Sequence, residues 1–249
     1  MGMFEDKIIL VTGAGSGIGR ETAEQFLAEG ATVIGTIRKD WPSFTEKAAQ
    51  YGERCITERL NVTQRIQVEQ TIKRVEERFG RIDILVNCAG VHMNGTVLDT
   101  TEEQWDSIVE SNLKSVFLTC RSVLPYMLTR GEGVIVNVAS RVGMTGSPNS
   151  AVYCASKAAV ANLTREMALD FSDKGVRIVA VAPGMVETPM VDRQFPDGPE
   201  RKHRVMQQYP QRRFSTAEEV ANVILFLASD KASNMTGAII PVDGGRSAQ

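Results

Sequence analysis

Short apolar runs alternate with longer amphipathic segments along almost the whole chain. The runs have the length and Val/Ile content of buried strands, and the longer segments repeat apolar residues every three to four positions, as helices do. The predicted strands are 7–11, 31–37, 54–59, 82–86, 133–138, 176–181 and 238–242, and the predicted helices lie near 17–28, 44–51, 63–79, 102–129, 151–172 and 216–228. This alternation predicts an α/β fold with a doubly wound, mostly parallel seven-stranded sheet and helices on both faces.

Two helix starts carry the pattern of a capping box, in which a hydroxyl side chain and a Glu or Gln three residues later bond each other's backbone. They are Thr101 with Gln104 and Ser215 with Glu218. No linker divides the 249 residues, so we expect one domain over 1–249.

The segment 187–214 interrupts the alternation. It contains Pro189, Pro196, Pro199, Pro210 and an Asp197-Gly198 turn signal. An irregular segment that follows a late strand of such a sheet lies where ligands bind. We interpret it as a substrate lid containing a short helix, with a solvated surface loop as the alternative.

A glycine-rich turn, Thr12–Gly19, joins the first predicted strand to the first predicted helix. Glycines allow the backbone to approach a pyrophosphate, and the helix N-terminus presents free N–H groups and a partial positive charge. Strand, turn and helix together predict a Rossmann-type dinucleotide site. The spacing is G-x-x-x-G-x-G, which alone would also fit a tight turn without a ligand.

Composition narrows the classes of function. The net charge of −2 argues against general nucleic-acid binding. No apolar stretch is long enough for a membrane span, and the N-terminus lacks a signal-peptide core, so we expect a cytoplasmic protein. The four cysteines form no C-x-x-C pair and the two histidines lie far apart, so no metal site is expected. The cysteines are interpreted as small buried residues rather than disulfides.

Tyr153 and Lys157 are four residues apart on a predicted helix and therefore share one face. Ser140 follows a predicted strand, Asn112 lies within the long helical segment, and Asn87-Cys88-Ala89-Gly90 follows the fourth strand. With the glycine turn and Pro183-Gly184, these motifs stand in the order and spacing of the short-chain dehydrogenase/reductase family, which the whole chain resembles. The chain is similar to 3-oxoacyl carrier-protein reductases and hydroxybutyrate-type dehydrogenases of that family.

The resemblance implies an enzyme that moves a hydride between a nicotinamide cofactor and a secondary alcohol or ketone. Tyr153 would be the acid/base, since a nearby ammonium favours its phenolate. Lys157 would lower the pKa of Tyr153 and bond the nicotinamide ribose. Ser140 would hold the substrate oxygen, and Asn112 would anchor a water that connects Lys157 to solvent. Taken singly, each residue could equally serve in packing or capping.

The resemblance also implies which residues contact the cofactor. They are Gly13, Ser16, Gly17, Ile18, Gly19, Arg38, Asn61, Val62, Asn87, Ala89, Gly90, Tyr153, Lys157, Pro183, Gly184, Val186 and Thr188. The family often has Asn where this chain has Cys88, and we expect this departure to be tolerated.

The end of the second strand favours NADP over NAD. NAD-specific members usually have an acidic residue there that grips the ribose diol. Here Ile37 occupies that position and Arg38 and Lys39 follow, which suits an additional 2′-phosphate. Ser16 and the nearby Asp40 argue the other way, and the two cations could simply be solvated.

The substrate is less well defined. The segment 188–214 carries six basic residues against three acidic ones, which indicates an anionic small molecule such as a hydroxy acid, sugar acid or acyl thioester. Arg141 and Arg193 are the candidate contacts, and solvent-facing arginines with a neutral sugar or polyol substrate are the alternative. A dinucleotide-binding sensor without catalysis is a further alternative, although the four catalytic positions are kept. The family also implies a homo-oligomer, a dimer or tetramer built on the helices of 102–129 and 151–172.

Overall fold

The computed structural model describes residues 2–39, 42–195 and 198–248. Within these residues, seven strands form one sheet. The strands are β1 Ile8–Thr12, β2 Thr32–Ile37, β3 Cys55–Arg59, β4 Ile84–Asn87, β5 Gly133–Val138, β6 Val176–Pro183 and β7 Ile239–Val242. The helices are α1 Gly17–Ala28, α2 Pro42–Tyr51, α3 Arg65–Phe79, α4 Glu102–Val109, α5 Ser115–Arg130, α6 Ala151–Phe171, α7 Pro189–Asp192, α8 Pro199–Met206 and α9 Ala217–Ala228.

The sheet has the order β3-β2-β1-β4-β5-β6-β7, and every neighbouring pair of strands is parallel. The predicted doubly wound α/β fold is confirmed, and the sheet is wholly rather than mostly parallel. The chain leaves β1 toward β2 on one side and later returns to place β4 on the other. Ligands bind at such a reversal point, beyond the carboxyl ends of the strands.

Successive residues of β1 point to opposite faces of the sheet and enter different apolar clusters. Ile9 and Val11 pack with Phe26 of α1 and Ile224 of α9 on one face. Ile8 and Leu10 pack against α3, α5 and α6 on the other. Burial of both faces explains why the strands appear in the sequence as continuous apolar runs.

The predicted helix over 102–129 is continuous except for one local irregularity. A π-helical turn at Glu110–Lys114 joins α4 to α5, and Asn112 lies within it. Such turns occur mostly as single irregularities inside α-helices, often at functional sites. None of the helices in the described residues is long and apolar enough to cross a membrane.

One predicted capping box is confirmed and the other is displaced by one residue. Thr101 and Gln104 form the box of α4. At α9 the box is made by Thr216 and Glu219 instead of Ser215 and Glu218. Ser215 is unavailable because its N–H donates to the carbonyl of Met185 (3.1 Å) and its carbonyl accepts from the N–H of Glu187 (2.9 Å).

These backbone bonds close the base of the segment 187–214, which contains two short helices, α7 and α8, where the sequence predicted one. The segment has its own apolar cluster of Val191, Phe195, Tyr209 and Phe214. The Tyr209 hydroxyl accepts a hydrogen bond from the N–H of Met185 (3.0 Å), which fixes the cluster to the end of β6. Pro196 and Asp197, part of the predicted turn, lie outside the described residues.

Candidate active site

A cavity of about 690 Å³ lies beyond the carboxyl ends of the strands. The glycine turn and the ends of β2, β4, β5 and β6 line it together with the start of α6 and part of the segment 187–214. It includes all the predicted site residues except two, Asn87 and Asn112.

The glycine turn packs closely enough that side chains are excluded at defined positions. Gly13 has φ +70°, and a Cβ there would lie 2.9 Å from the Cα of Ala89. Gly17 has φ +56°, and a Cβ there would lie 3.0 Å from Cγ2 of Thr188. Ser16 is the N-cap of α1, yet its side chain makes no capping bond. The N-terminus of α1 therefore borders the cavity without a side-chain cap, as an anion site requires.

The end of β2 forms the rim of the cavity next to the turn. Ile37, the exposed Arg38 and Lys39 all line it. The buried hydroxyl of Thr36 also borders the cavity and has no hydrogen-bond partner among the described residues. Asn61 and Val62 lie on the same rim, while Asp40 lies outside the described residues.

An adjoining cleft of about 400 Å³ shares Arg38 and Asn61 with this rim. Its other wall carries the carboxylates of Glu103, Asp106 and Glu110 on α4 and the following turn. Glu110 is paired with Lys114 (2.9 Å), so Arg38 lies between the cavity and the carboxylates of Glu103 and Asp106.

Thr12 and Asn87 orient the turn after β4 from beneath. The Thr12 hydroxyl accepts hydrogen bonds from the N–H groups of Cys88 (3.0 Å) and Ala89 (3.1 Å). The Asn87 side chain, by contrast, points into the interior, where it donates to Oδ1 of Asn137 (2.9 Å) and accepts from the Thr119 hydroxyl (2.7 Å). The predicted contact of Asn87 with the cofactor is left to its backbone and stays a prediction. The Asn87 side chain holds the strand ends, and Ala89 and Gly90 border the cavity.

Ser140, Tyr153 and Lys157 converge on the cavity. The Ser140 hydroxyl lies near the Tyr153 phenol and donates a hydrogen bond to the carbonyl of Pro183 (3.4 Å). Lys157 Nζ donates to the carbonyl of Val138 (2.8 Å) and lies 6.0 Å from the centroid of the Tyr153 ring. The four-residue spacing on α6 thus brings phenol and ammonium together, as the sequence predicts.

Burial sets the protonation of the pair. It raises the pKa of Tyr153 to about 12, against the smaller opposite effect of the nearby Ser140 hydroxyl. It lowers the pKa of Lys157 to about 8. At neutral pH the phenol is protonated and the lysine is mostly an ammonium, and the pair loses its first proton near pH 8.

Asn112 clamps the backbone of Val91 instead of facing the cavity. Its Oδ1 accepts from the N–H of Val91 (2.8 Å), and its Nδ2 donates to the carbonyl of Val91 (2.9 Å) and to the Ser156 hydroxyl (3.2 Å). Both amide protons are therefore used within the protein, and the side chain positions the loop after β4. A water anchored by Asn112 would have to be held by its backbone carbonyl in the π-helical turn, and that role stays a prediction. A Cβ on Gly90 would lie 3.1 Å from Oδ1 of Asn112 and 3.6 Å from Nζ of Lys157, so this group packs closely.

Only part of the basic excess in the segment 188–214 faces the cavity. Arg193 and Arg201 line it, as does Arg141. Lys202 pairs with Asp192 (3.0 Å) and Arg213 with Glu219 (2.6 Å), and neither cation lines the cavity. The net positive charge of the segment therefore overstates the positive charge presented to a ligand.

Sequence reasoning used His92 only to argue against a metal site and missed its position. Its ring lines the cavity and makes an edge contact with Tyr153, with ring centroids 4.6 Å apart. Its place two residues after Ala89-Gly90, on the loop that follows β4, is the signal that could have identified it.

Comparisons with known proteins agree with this geometry. A family model described as enoyl-(acyl carrier protein) reductase matches residues 13–247. A 3-oxoacyl-(acyl-carrier-protein) reductase of Thermotoga maritima is 43% identical over 244 residues, covering 97% of this chain and 98% of that protein. A meso-2,3-butanediol dehydrogenase of Serratia marcescens is 41% identical over 248 residues, covering 98% and 96%. The crystal structure of levodione reductase superposes with a TM-score of 0.92 at 35% identity, covering 98% of this chain and 99% of that one.

Fold, site and relatives together define a Rossmann-fold oxidoreductase, and the chain belongs to the short-chain dehydrogenase/reductase family. It is accordingly an enzyme that acts on alcohol and keto groups with a nicotinamide cofactor.

Proposed function

We propose that this enzyme is an NADP-preferring reductase of a ketone that carries an anionic group, with Tyr153 as its acid/base. The observation that carries the proposal is the convergence of Ser140, Tyr153 and Lys157 on a cavity whose opposite end is the glycine turn. Dinucleotide binding without catalysis would not require the phenol, the hydroxyl and the ammonium to share one wall.

The side chains divide the work according to their chemistry. Ser140 donates a hydrogen bond to the substrate oxygen and holds the reacting carbon in place. Tyr153, neutral below its raised pKa, gives a proton to that oxygen during reduction and takes it back during alcohol oxidation. Lys157, fixed by the carbonyl of Val138, places a positive charge beside the phenol and stabilises its phenolate. Asn112 keeps the loop of Gly90 and Val91 in register with Lys157.

The residues of the glycine turn fit a dinucleotide. The uncapped N-terminus of α1 and the close approach of Gly13 to Ala89 leave a cradle for a pyrophosphate. Asn61 and Val62 would flank the adenine, while Pro183, Gly184, Val186 and Thr188 would border the nicotinamide end. When bound, the nicotinamide supplies or accepts the hydride.

NADP is favoured because of the groups at the end of β2. Arg38 and Lys39 offer positive charge, and position 37 is isoleucine instead of an acid. The Thr36 hydroxyl has no hydrogen-bond partner among the residues that the structure describes. A guanidinium matches the geometry of a phosphate better than that of a ribose diol. The carboxylates across the adjoining cleft act against a phosphate, and we expect Arg38 to outweigh them because it lines the cavity itself.

A paired titration tests the proposal first. We expect NADPH to bind more tightly than NADH, and absorbance at 340 nm to show reduction of keto acids or a 3-oxoacyl thioester faster than of neutral sugars. Tighter NADH binding would contradict the cofactor assignment, and turnover confined to neutral ketones would favour a polyol or sugar reductase. Binding of both nucleotides without turnover of any ketone would favour the sensor.

The anionic group of the substrate is assigned to Arg193, and Arg141 lines the same cavity. We expect Arg193→Ala to raise KM for a carboxylated ketone by about tenfold, as loss of a charge-assisted hydrogen bond does, with kcat little changed. Arg204→Ala is the matched control, because Arg204 is exposed on α8 and does not line the cavity. An equal KM in the two variants would remove Arg193 from the binding site.

The pH dependence of catalysis follows from the first proton that the Tyr153–Lys157 pair loses, near pH 8. Alcohol oxidation needs the phenolate beside an ammonium, so we expect its kcat/KM to rise up to about tenfold per pH unit and to level off above about pH 8. Ketone reduction needs the phenol, which stays protonated up to its raised pKa near 12, so its kcat/KM should stay level through pH 10. In Lys157→Met, oxidation is expected to keep rising through pH 10. An oxidation rate that falls with increasing pH would contradict the assignment.

We also propose that the segment 187–214 is the substrate lid and that the chain is a homo-oligomer. The lid proposal rests on Arg193 and Phe195 lining the cavity on a segment closed at its base. The oligomer proposal rests on Trp105, Phe117 and Leu169, large apolar side chains exposed on α4, α5 and α6. Light scattering of the purified protein tests the second, and a monomer at micromolar concentration would contradict it.

A further inference from the structure

His92 is held rigidly on the cavity wall beside Tyr153. The neighbouring Val91 has both backbone groups bonded by Asn112, at 2.8 and 2.9 Å. Three residues after His92, the N–H of Gly95 donates to the carbonyl of Asn149, and the carbonyl of Gly95 accepts from the N–H of Ala151, both at 3.0 Å. The His92 ring between these anchors meets the Tyr153 ring edge to face at an angle of 63°. Such anchoring is what a residue needs to discriminate between ligands.

The polar atoms of the His92 ring have nothing to bond within the protein. In the part of the chain that the structure describes, neither ring nitrogen makes a hydrogen bond, although the side chain is half-buried and borders the cavity. The two nitrogens are not fully buried and so remain accessible to a ligand in the cavity. Phenylalanine would make the same ring contact with Tyr153, so packing alone does not explain the nitrogens.

The protonation of the ring indicates what it can bond. Burial lowers the pKa of His92, so the imidazole is neutral at pH 7. A neutral imidazole has one donor and one acceptor nitrogen. A carboxylate can use only the donor, whereas a hydroxyl can use either nitrogen. The ring is thus better suited to a hydroxyl than to the anionic group assigned to Arg193.

We propose that His92 is a specificity-determining residue that hydrogen-bonds a hydroxyl on the carbon next to the reacting carbonyl. Because the two rings are in contact, a substrate whose carbonyl oxygen bonds Tyr153 brings its adjacent carbon toward His92. The preferred substrates are then 2-hydroxyketones, and the alcohols formed are vicinal diols. This inference rests on the proposed role of Tyr153 and names the substrate class of the same site.

Two small ketones that differ by one hydroxyl test it, namely 3-hydroxybutan-2-one and butan-2-one, each reduced with NADPH. The measured quantity is the ratio of their kcat/KM values. The hydroxyl also activates the carbonyl electronically, so the criterion is the change of this ratio between variants. We expect His92→Phe, which keeps a ring against Tyr153, to lower the ratio about tenfold, as loss of a neutral hydrogen bond does. His92→Gln, with a donor and an acceptor, should restore part of it.

His203→Gln is the matched control, since His203 is exposed on α8 and does not line the cavity. An unchanged ratio in His92→Phe would overturn the inference while leaving the proposed function intact. If His92→Phe does not fold, as judged by circular dichroism, His92→Leu removes the same nitrogens and decides the question in the same way. If the wild type binds NADPH but reduces no ketone, the proposed function itself fails and the inference fails with it.

Discussion

Replacement of Tyr153 by phenylalanine should abolish most turnover without loss of cofactor binding. The variant lacks the only proton that the proposed mechanism delivers to the substrate oxygen. General acid–base catalysis of this kind contributes a factor of about 10² to 10⁴, so we expect kcat to fall by that amount. NADPH affinity, measured by fluorescence titration, should change less than about threefold, because one hydroxyl contributes little binding to a ligand of this size.

The structure indicates that the variant will fold. The phenylalanine ring keeps the edge contact with His92, and the change removes only the hydroxyl that faces Ser140. Tyr126→Phe provides the control, because Tyr126 is an exposed tyrosine on α5, outside the cavity. If Tyr153→Phe retains more than about a third of wild-type kcat, Tyr153 is not the acid/base. Another group beside Lys157 would then have to donate the proton.

The sheet could be predicted from the sequence because both of its faces are buried. Each strand must then be apolar at every position, and Ile8–Val11 is recognisable without any periodicity. The spacing of Tyr153 and Lys157 was also informative, since four residues on a helix fix a common face regardless of tertiary structure. The motifs therefore identified both ends of the cavity.

The direction of a side chain at the end of a strand could not be predicted in the same way. Asn87 belongs to the Asn-Cys-Ala-Gly motif, yet its amide bonds Asn137 on the neighbouring strand and Thr119 on α5. Those partners lie 50 and 32 residues away in the chain, and only the register of β4 with β5 brings the two asparagines together. His92 was missed for a related reason, because its contact with Tyr153 joins a loop to a helix 61 residues later.

Charge counted along a segment was also a poor guide to charge in the cavity. Arg213 is neutralised by Glu219, which lies outside the segment that was counted, and Lys202 by Asp192 within it. The same Glu219 serves as the capping acid of α9, where the sequence pattern pointed to Glu218. Since Ser215 is engaged with Met185 and Glu187, the cap moved to Thr216. Tertiary contacts, which no local pattern records, decided both outcomes.

The second large effect is expected at the end of β2, where cofactor preference should be reversed by Ile37→Asp combined with Arg38→Ala. The first change places a carboxylate where it can bond a ribose diol and repel a 2′-phosphate. The second removes the guanidinium next to it. Charge-assisted hydrogen bonds contribute about 1.5–3 kcal/mol each, so the two changes together should lower the NADPH-to-NADH ratio of kcat/KM by about two to four orders of magnitude.

The geometry supplies both a control and a milder variant. Arg59 pairs directly with Ile37 across β2 and β3, but it is exposed and does not line the cavity, so Arg59→Ala should leave the ratio unchanged. Ile37 is only 6% exposed and belongs to the apolar core, so the aspartate will cost stability. Arg38→Ala alone avoids that cost, and we expect it to lower the ratio by about tenfold or more.

Salt concentration is the decisive condition for this measurement. The carboxylates of Glu103 and Asp106 lie along the cleft that shares Arg38, and they repel a 2′-phosphate most strongly when screening is weak. Removal of Arg38 leaves that repulsion uncompensated, so the loss of NADPH affinity in Arg38→Ala should be larger at 0.01 M than at about 0.15 M ionic strength. If neither substitution changes the NADPH-to-NADH ratio of kcat/KM, the end of β2 does not contact the cofactor's ribose, whichever nucleotide the wild type prefers.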